Sequence, residues 1–373
     1  MTSSKKIRMG VMGGSFGAAF PWHEHPSSAV EAVTDLDPDR LSYLKETYSC
    51  DKAYPSLDEM LKDRDIDAVA VFSGAPDHAR QAIQAMKAGK HVISAVPACM
   101  TLDDAYLLRE CVEQTGMTYM MAETSYYRQP AISARKFLDE GKFGDIFYTE
   151  AEYHHAGIDP LFFDKQGNRT WRYGIPPMLY PTHCTGFVVG VTKERLTEAT
   201  CIGWGDDSPY LKENPYNNPF WSETAFFKTD KGHAFRASVY WEGAFKGTER
   251  AQWIGSKMSL FSPTANGQGA IIVRRSEQQE TDDAGFVRTL PRFEEYEVPN
   301  WFETDMLPES LRHASGHGGS HVFLAHEFIS ALVEERRPAV DIYEALAMTV
   351  PGIVAHESAL RGGEQLKVPS FDR

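Results

Sequence analysis

The N-terminal stretch constrains this chain more than any other, because an apolar run, a glycine-rich turn, a second apolar run and an acid follow one another there. Residues 7–12, IRMGVM, form an apolar run suited to a parallel strand covered on both faces, and Gly13-Gly14-Ser15-Phe16-Gly17 follows at once. Glycine permits positive φ and a close approach of backbone N–H groups to phosphate, and the start of a following helix adds the positive end of its dipole. A second apolar run over residues 30–33 leads to Asp35, at about the twenty-residue interval where a carboxylate accepts hydrogen bonds from an adenosine ribose. The stretch therefore predicts a dinucleotide site, with NAD favoured over NADP because an acid there repels a 2′-phosphate. Strict G-x-G-x-x-G spacing falls on Gly13, Ser15 and Ala18, and Pro21 sits where the helix after the turn should still be running. Proline removes a backbone donor and clashes with the preceding turn, so that helix is expected to be short or kinked.

At 373 residues, 42% hydrophobic and 24% charged, the chain suffices for two globular domains with sizeable cores. A formal net charge of -14 argues against nucleic acid or an anionic membrane as partner and leaves soluble small molecules. Cys50, Cys99, Cys111, Cys184 and Cys201 lack C-x-x-C spacing and are odd in number, which fits a reducing compartment rather than a disulfide framework or a thiolate zinc site. MTSSKKIRMG enters a strand too soon to hold the apolar core of a signal peptide, and no apolar run has membrane-spanning length, so the expected location is cytoplasmic.

Helical spacing over residues 39–48 and a serine-capped turn from Ser56 read as crossover helices. DAVAVF from Asp67, HVISAVP from His91 and TYMMAE from Thr118 read as further buried strands alternating with helices. The expected fold is α/β: a Rossmann, doubly wound parallel sheet of six strands, followed by an α+β domain with a large, mostly antiparallel sheet. By the switch-point rule the loops after the parallel strands line the cofactor crevice. They carry Gly13, Ser15, Phe16, Asp35, Ser73, Pro76, His78, Ala95, Val96 and Thr124. From about Tyr126 one helix precedes alternating segments such as IFYTEAEYHH and ETAFFKTDKGHAFRASVYWEG, rich in aromatic residues and divided by turn residues. Such a sheet beside a dinucleotide domain commonly carries the substrate. The expected domains are residues 1–125 for the dinucleotide and 126–373 for the substrate, with C-terminal helices packing back on the first. An exposed sheet face makes a homo-oligomer the expected state.

The Gly-rich turn, Asp35, GKHVISAVP, YTEAEYHH and His183, with these proportions, resemble the Gfo/Idh/MocA oxidoreductases over nearly the whole chain. Within that family Val96-Pro97-Ala98, LYPTH over residues 179–183, GHGGSH over residues 316–321 and the following DIYEA are similar to the branch containing the NAD-dependent α-N-acetylgalactosaminidases. The resemblance implies the fold, NAD and a sugar-like substrate, and it maps substrate contacts onto Tyr153 and Arg172. The chain departs from the usual Glu-Lys-Pro at Ala95-Val96-Pro97, and valine can neither orient nor deprotonate a hydroxyl. Leu179 stands where the family usually has an aspartate before its catalytic histidine, and Gly247 where the glycosidase branch has a tyrosine.

Oxidising a sugar alcohol needs a base for the hydroxyl proton, and neutral imidazole suits that task near pH 7. His183, after the Tyr180-Pro181-Thr182 turn, reads either as that base or as a core histidine, and the resemblance assigns it the base, with Tyr180 holding a second hydroxyl. Tyr153 reads as a sheet-packing or a substrate-binding tyrosine. Arg172 reads as a surface ion pair or as a planar fork for a hydroxyl or anionic group. His313, His317 and His321 recur at a spacing that would suit metal ligands on a helix, but the intervening glycines predict a loop closing over the active site, and no metal. His154 and His155 point to opposite faces of a regular strand. The expected activity is NAD-dependent hydride transfer from a hydroxyl of a carbohydrate or cyclitol. The alternatives are a glycosidase that recycles NAD through oxidation, elimination, hydration and reduction, and a non-catalytic sugar-binding protein retaining the fold.

Overall fold

The computed structural model describes residues 6–244 and 247–373. Residues 1–5, part of the lead-in read above as too short for a signal peptide, lie outside them. The chain forms two compact units, Met1–Arg128 with Asn300–Ile353 and Phe371–Arg373, and Gln129–Pro299 with Val354–Ser370. Among the described residues no helix is long and apolar enough to cross a membrane.

In the first unit β1 (Ile7–Met12), β2 (Ser28–Thr34), β3 (Ala68–Val71), β4 (His91–Ser94) and β5 (Tyr119–Met121) make one parallel sheet in the order β2-β1-β3-β4-β5. The sheet has five strands among the described residues, not six, since the chain after β5 turns into a buried 3-10 helix, Thr124–Tyr127. Ala68, Val69, Ala70 and Val71 of β3 are wholly buried, as a central parallel strand requires. The helices start where capping residues stand. Asp37 accepts from Asp39 N and Arg40 N at α1 (Pro38–Tyr48), Ser56 from Glu59 N at α2 (Leu57–Leu61), and Thr101 from Asp104 N at α4 (Leu102–Thr115). Between them α3 (His78–Lys87) follows β3. The strand order reverses between β1 and β3, so the switch point lies at their carboxyl ends.

The chain after the glycine-rich turn departs from expectation in degree. One 3-10 turn, Gly17–Ala19, is all that forms before Phe20 goes extended and Pro21 follows. The Phe20 and Trp22 rings are buried instead, stacked 5.5 Å apart. A single 3-10 turn carries little macrodipole, so the helix field anticipated from sequence is weak at this turn.

In the second unit α5 (Gln129–Asp139) leads into β6 (Ile146–His154). β7 (Leu196–Trp204), β8 (Ser222–Thr229), β9 (Ala234–Tyr240), β10 (Thr248–Gly255), β11 (Met258–Phe261) and β12 (Ala270–Arg274) follow. A small hairpin, β13 (Gln279–Thr281) with β14 (Val287–Thr289), precedes β15 (Arg292–Tyr296), and β16 (Leu366–Lys367) closes the series. The large sheet runs β15-β12-β11-β10-β6-β9-β8-β7-β16, antiparallel throughout except for β6 against β9. Between β6 and β7 comes α6 (Thr182–Thr192), THCTGFVVGVT, buried along nearly its whole length on the inner face of the sheet, where Trp253 Nε1 donates to Phe187 O at 3.0 Å. Ile202, Trp204 and Phe226 stand exposed on the opposite face, in register with Thr224, Ser222 and Thr200.

Candidate active site

In the first unit the sequence-predicted cofactor residues stand at the carboxyl ends of the five strands: Gly13, Ser15 and Phe16 after β1, Asp35 after β2, Ser73, Pro76 and His78 after β3, Ala95 and Val96 after β4, and Thr124 after β5. Gly13 has φ +99°, and a Cβ there would lie 2.1 Å from Phe72 O, so only glycine fits the turn. Asp35 Oδ2 accepts from Gly14 N at 2.6 Å and Oδ1 from Asp37 N at 2.8 Å. The half-buried acid thus ties the turn to the end of β2. Thr124 is 1% exposed and its Oγ1 has no hydrogen-bond partner, a buried polar atom that a ligand group would satisfy. A close-approach glycine, an acid at the end of the second strand and an orphaned hydroxyl fit a dinucleotide. His78 is spent on the backbone, with Nδ1 2.8 Å from Pro97 O and Nε2 3.1 Å from Ser73 O, which joins the β3 and β4 loops. Ser73 Oγ donates to Gln81 Oε1.

The histidine-rich motif lies against the same turn. In the helix Gly316–Val333 the residues His317, Gly318 and Gly319 have left-handed φ of 50°, 64° and 89°, so the motif opens as a turn and becomes helical after it. His317 Nδ1 lies 2.8 Å from His321 Nε2, and His321 Nδ1 lies 3.0 Å from Ala19 O. The His321 ring stacks on Phe20 at 4.5 Å and meets Phe16 edge-on at 5.4 Å. No group of three or more metal-ligating side chains occurs among the described residues. Burial pushes the His321 pKa down to about 4, with His317 and Arg128 adding positive charge beside it and the bond to Ala19 opposing the shift. A histidine held neutral in the fold binds its proton more readily unfolded, so its stabilising effect is complete above about pH 6.5 and is lost as pH falls towards 4. From pH 7 to pH 5 this residue is expected to cost about 2 kcal/mol of stability. Thermal midpoints of the protein and of His321→Leu over that range test it, the variant showing the smaller acid loss.

In the second unit a small pocket is lined by Tyr153, Trp171, Arg172, Tyr180 and Trp241 among others. His183 is the second residue of α6, with its side chain 5% exposed. Its ring lies 4.4 Å from that of Tyr153 and 5.3 Å from that of Tyr180. The four sequence-predicted residues of this unit, Tyr153, Arg172, Tyr180 and His183, are therefore brought together. Tyr153 is on β6 and points to the α6 side, as do Thr149 and Ala151. Trp241 Nε1 donates to Ile175 O at 2.8 Å and Met178 N to Glu223 Oε2 at 2.7 Å, which fixes the turn that precedes Tyr180.

Residues 7–123 match the family model described as GFO_IDH_MocA, oxidoreductase family, NAD-binding Rossmann fold, and residues 268–373 match the glycosyl hydrolase 109 C-terminal domain. The chain thus joins a Gfo/Idh/MocA NAD-binding domain to a glycosyl hydrolase 109 C-terminal domain. Its relatives in this branch include a glycosyl hydrolase family 109 protein of Solibacter usitatus, 26% identical over 98% of this chain and 88% of that one. Another is glycosyl hydrolase family 109 protein 2 of Akkermansia muciniphila, 26% identical over 84% of this chain and 69% of that one. Among solved structures the fold is shared with levoglucosan dehydrogenase in complex with NADH and levoglucosan, at TM-score 0.77 and 17% identity over 98% of this chain and 100% of that one. It is shared also with scyllo-inositol dehydrogenase from Lactobacillus casei with bound NAD(H) and scyllo-inositol, at TM-score 0.69 and 15% identity over 97% and 99%. NAD is the cofactor of the Rossmann domain.

The surroundings of His183 supply a carboxylate from the sheet rather than from the preceding turn. Leu179 brings no carboxylate from the turn, yet Glu249 Oε1 lies 4.0 Å from His183 Nδ1, the Glu249 side chain being 8% exposed. Glu249 comes from β10, directly opposite Tyr153 in the antiparallel register, which puts the two side chains on one face. Sequence reasoning missed it because the pairing of TERAQWIG with IFYTEAEYH depends on register rather than on any local motif. Trp171, Trp241 and His155 were missed as pocket residues too. The alternation on β6, continued by the bond from His155 N to Tyr240 O, places His155 on the Tyr153 side, a signal present in the sequence.

Cofactor choice carries its own test. Among the described residues no basic side chain pairs with the Asp35 carboxylate, and Leu36 beside it is 89% exposed, so a 2′-phosphate brought to this strand end would meet charge repulsion. NADH is expected to bind at least about ten-fold more tightly than NADPH in fluorescence titrations. Asp35→Ala should weaken NADH by about 1.5–3 kcal/mol, the worth of charged hydrogen bonds. Tighter binding of NADPH by the unaltered protein would remove the argument.

Proposed function

We propose that the protein oxidises a hydroxyl of a carbohydrate or cyclitol, with His183 as general base. The observation that carries this reading is one buried imidazole set between two tyrosine rings and beside the Glu249 carboxylate. NAD, when bound, supplies the hydride acceptor. Gly13, Ser15, Phe16 and Asp35 hold the dinucleotide, with Ser73, Pro76, Ala95, Val96 and Thr124 along the same strand ends and His78 fixing two of the loops. His183 takes the hydroxyl proton, and Glu249 favours the imidazolium that forms. Tyr180 donates to a neighbouring hydroxyl, while Tyr153 and Arg172 orient the ring. Val96, buried at the end of β4, leaves no amine to share the proton transfer, so the base function falls on the imidazole.

A second reading is favoured by the match to the glycosyl hydrolase 109 C-terminal domain. Oxidation at one ring carbon acidifies the adjacent C–H; a base removes that proton, the glycosidic group leaves, water adds, and reversal of the oxidation restores the sugar. Ala95 and Gly247, which differ from the glycosidase branch, support net oxidoreduction instead. Incubation with free sugars, cyclitols and aryl glycosides, following reduced nicotinamide and released aryl group together, separates the two. Stoichiometric NADH from a free sugar is the expected result, and aryl release without NADH or added NAD would replace it by the glycosidase. Five buried free thiols support a reducing, cytoplasmic setting, and the exposed Ile202, Trp204 and Phe226 support a homo-oligomer, to be checked by sedimentation.

A further inference from the structure

We propose that the pocket beside His183 takes an anionic sugar, a uronic acid or related sugar acid whose carboxylate pairs with Arg172. This rests on reading that pocket as the sugar site. Among the described residues no Asp or Glu lines it, and the permanent charge there is the half-buried Arg172. The guanidinium lies over the Trp171 ring at 4.1 Å, and no carboxylate among the described residues is paired with it. Three arginines on the sheet of this unit are matched: Arg236 pairs with Glu150, Arg250 with Glu152 and Arg274 with Glu294.

A guanidinium stays charged at any accessible pH, so it cannot relieve partial burial by losing its proton. Stacking on indole offsets only part of that cost and holds the planar fork in place, a geometry suited to bidentate recognition of a carboxylate. His155 adds a second polar group. Its Nδ1 is buried without a hydrogen-bond partner, and its ring lies 6.0 Å from that of Tyr153. Burial lowers the His155 pKa, and Arg172 and His183 act in the same direction, so the ring serves as a neutral hydrogen-bonding group next to the cation. One fixed positive charge matches a single carboxylate, whereas a phosphate dianion would leave a charge unmatched.

The test is calorimetric titration of the protein loaded with NADH, which prevents oxidation, using D-glucuronate, D-galacturonate, D-glucose, D-galactose and D-galactose 6-phosphate. At least one uronate is expected to bind ten-fold or more tightly than its neutral parent, roughly the advantage of one charged pair. That advantage should shrink with added salt, vanish in Arg172→Gln and survive in part in Arg172→Lys, with circular dichroism showing both variants folded. Equal affinity for uronates and neutral parents would overturn the anionic assignment and leave the sugar-oxidising reading standing. Preference for the phosphorylated sugar would overturn the carboxylate. Binding of no sugar at all would overturn this proposal together with the reading on which it rests.

Discussion

His183→Ala is expected to lower turnover by about 10²–10⁴-fold, the usual consequence of losing a general base, while NADH binding measured by fluorescence stays near its original strength. The separation follows from position. His183 belongs to the second unit, at the start of α6, and its neighbours are Tyr153, Tyr180 and Glu249, whereas the residues proposed to hold the dinucleotide stand at the strand ends of the first unit. His183→Gln keeps a hydrogen-bonding side chain of similar reach but cannot take a proton near pH 7, so it should be as slow as alanine. The pH dependence offers a second readout: the acid limb of kcat/KM that reports the imidazole should disappear in both variants. Near-normal turnover by His183→Ala on the true substrate would transfer the base role, with Tyr180 next in line.

Glu223→Ala should cost about 3 kcal/mol of stability and slow turnover as well, although the residue does not line the pocket. Glu223 is wholly buried on β8; Oε2 accepts from Met178 N at 2.7 Å and Oε1 lies 2.8 Å from His356 Nδ1. Removing the carboxyl leaves a buried N–H and a buried imidazole nitrogen without these partners, each worth about 1–3 kcal/mol. Met178 lies in the 3-10 turn Pro177–Leu179 that leads directly to Tyr180 and α6, so a loosened turn displaces the tyrosine and the histidine together. Glu223→Gln retains an oxygen for Met178 N and an amide for His356, and should recover most of both losses. Urea denaturation and kcat, measured on the two variants side by side, check this. Loss of stability in Glu223→Ala with full kcat would confine the residue to folding.

Both expectations depend on contacts with different degrees of visibility in the chain. The β1 strand, the glycine turn and Asp35 are legible because they lie within one local stretch whose hydrogen bonds, Gly14 N to Asp35 Oδ2 among them, join neighbouring elements. The helix caps at Asp37, Ser56 and Thr101 are legible for the same reason. The count of parallel strands was not, because an apolar run shows that a segment is buried but not whether a neighbouring strand remains to pair with it. Nor was the weakness of the first helix fully visible: Pro21 signalled a break, while the burial of Phe20 against His321 required a partner some three hundred positions away, the separation of Ala19 from His321 being 302.

The amino-acid sequence by itself determined the parallel Rossmann sheet, the aromatic antiparallel sheet, the glycine turn after β1 and the acid after β2. These follow from local conformational preferences and from hydrophobic periods of a few residues, which any short window contains. Only the tertiary structure decided that Glu249 stands beside His183, that Glu223 and His356 hold the turn before it, that the histidine motif packs on the glycine turn, and that Arg172 pairs with no acid among the described residues. Those facts depend on strand register and on which distant segments share a face. Such pairings are settled by the packing of the whole chain, since a shift of one residue in β10 would turn Glu249 to the other side of the sheet.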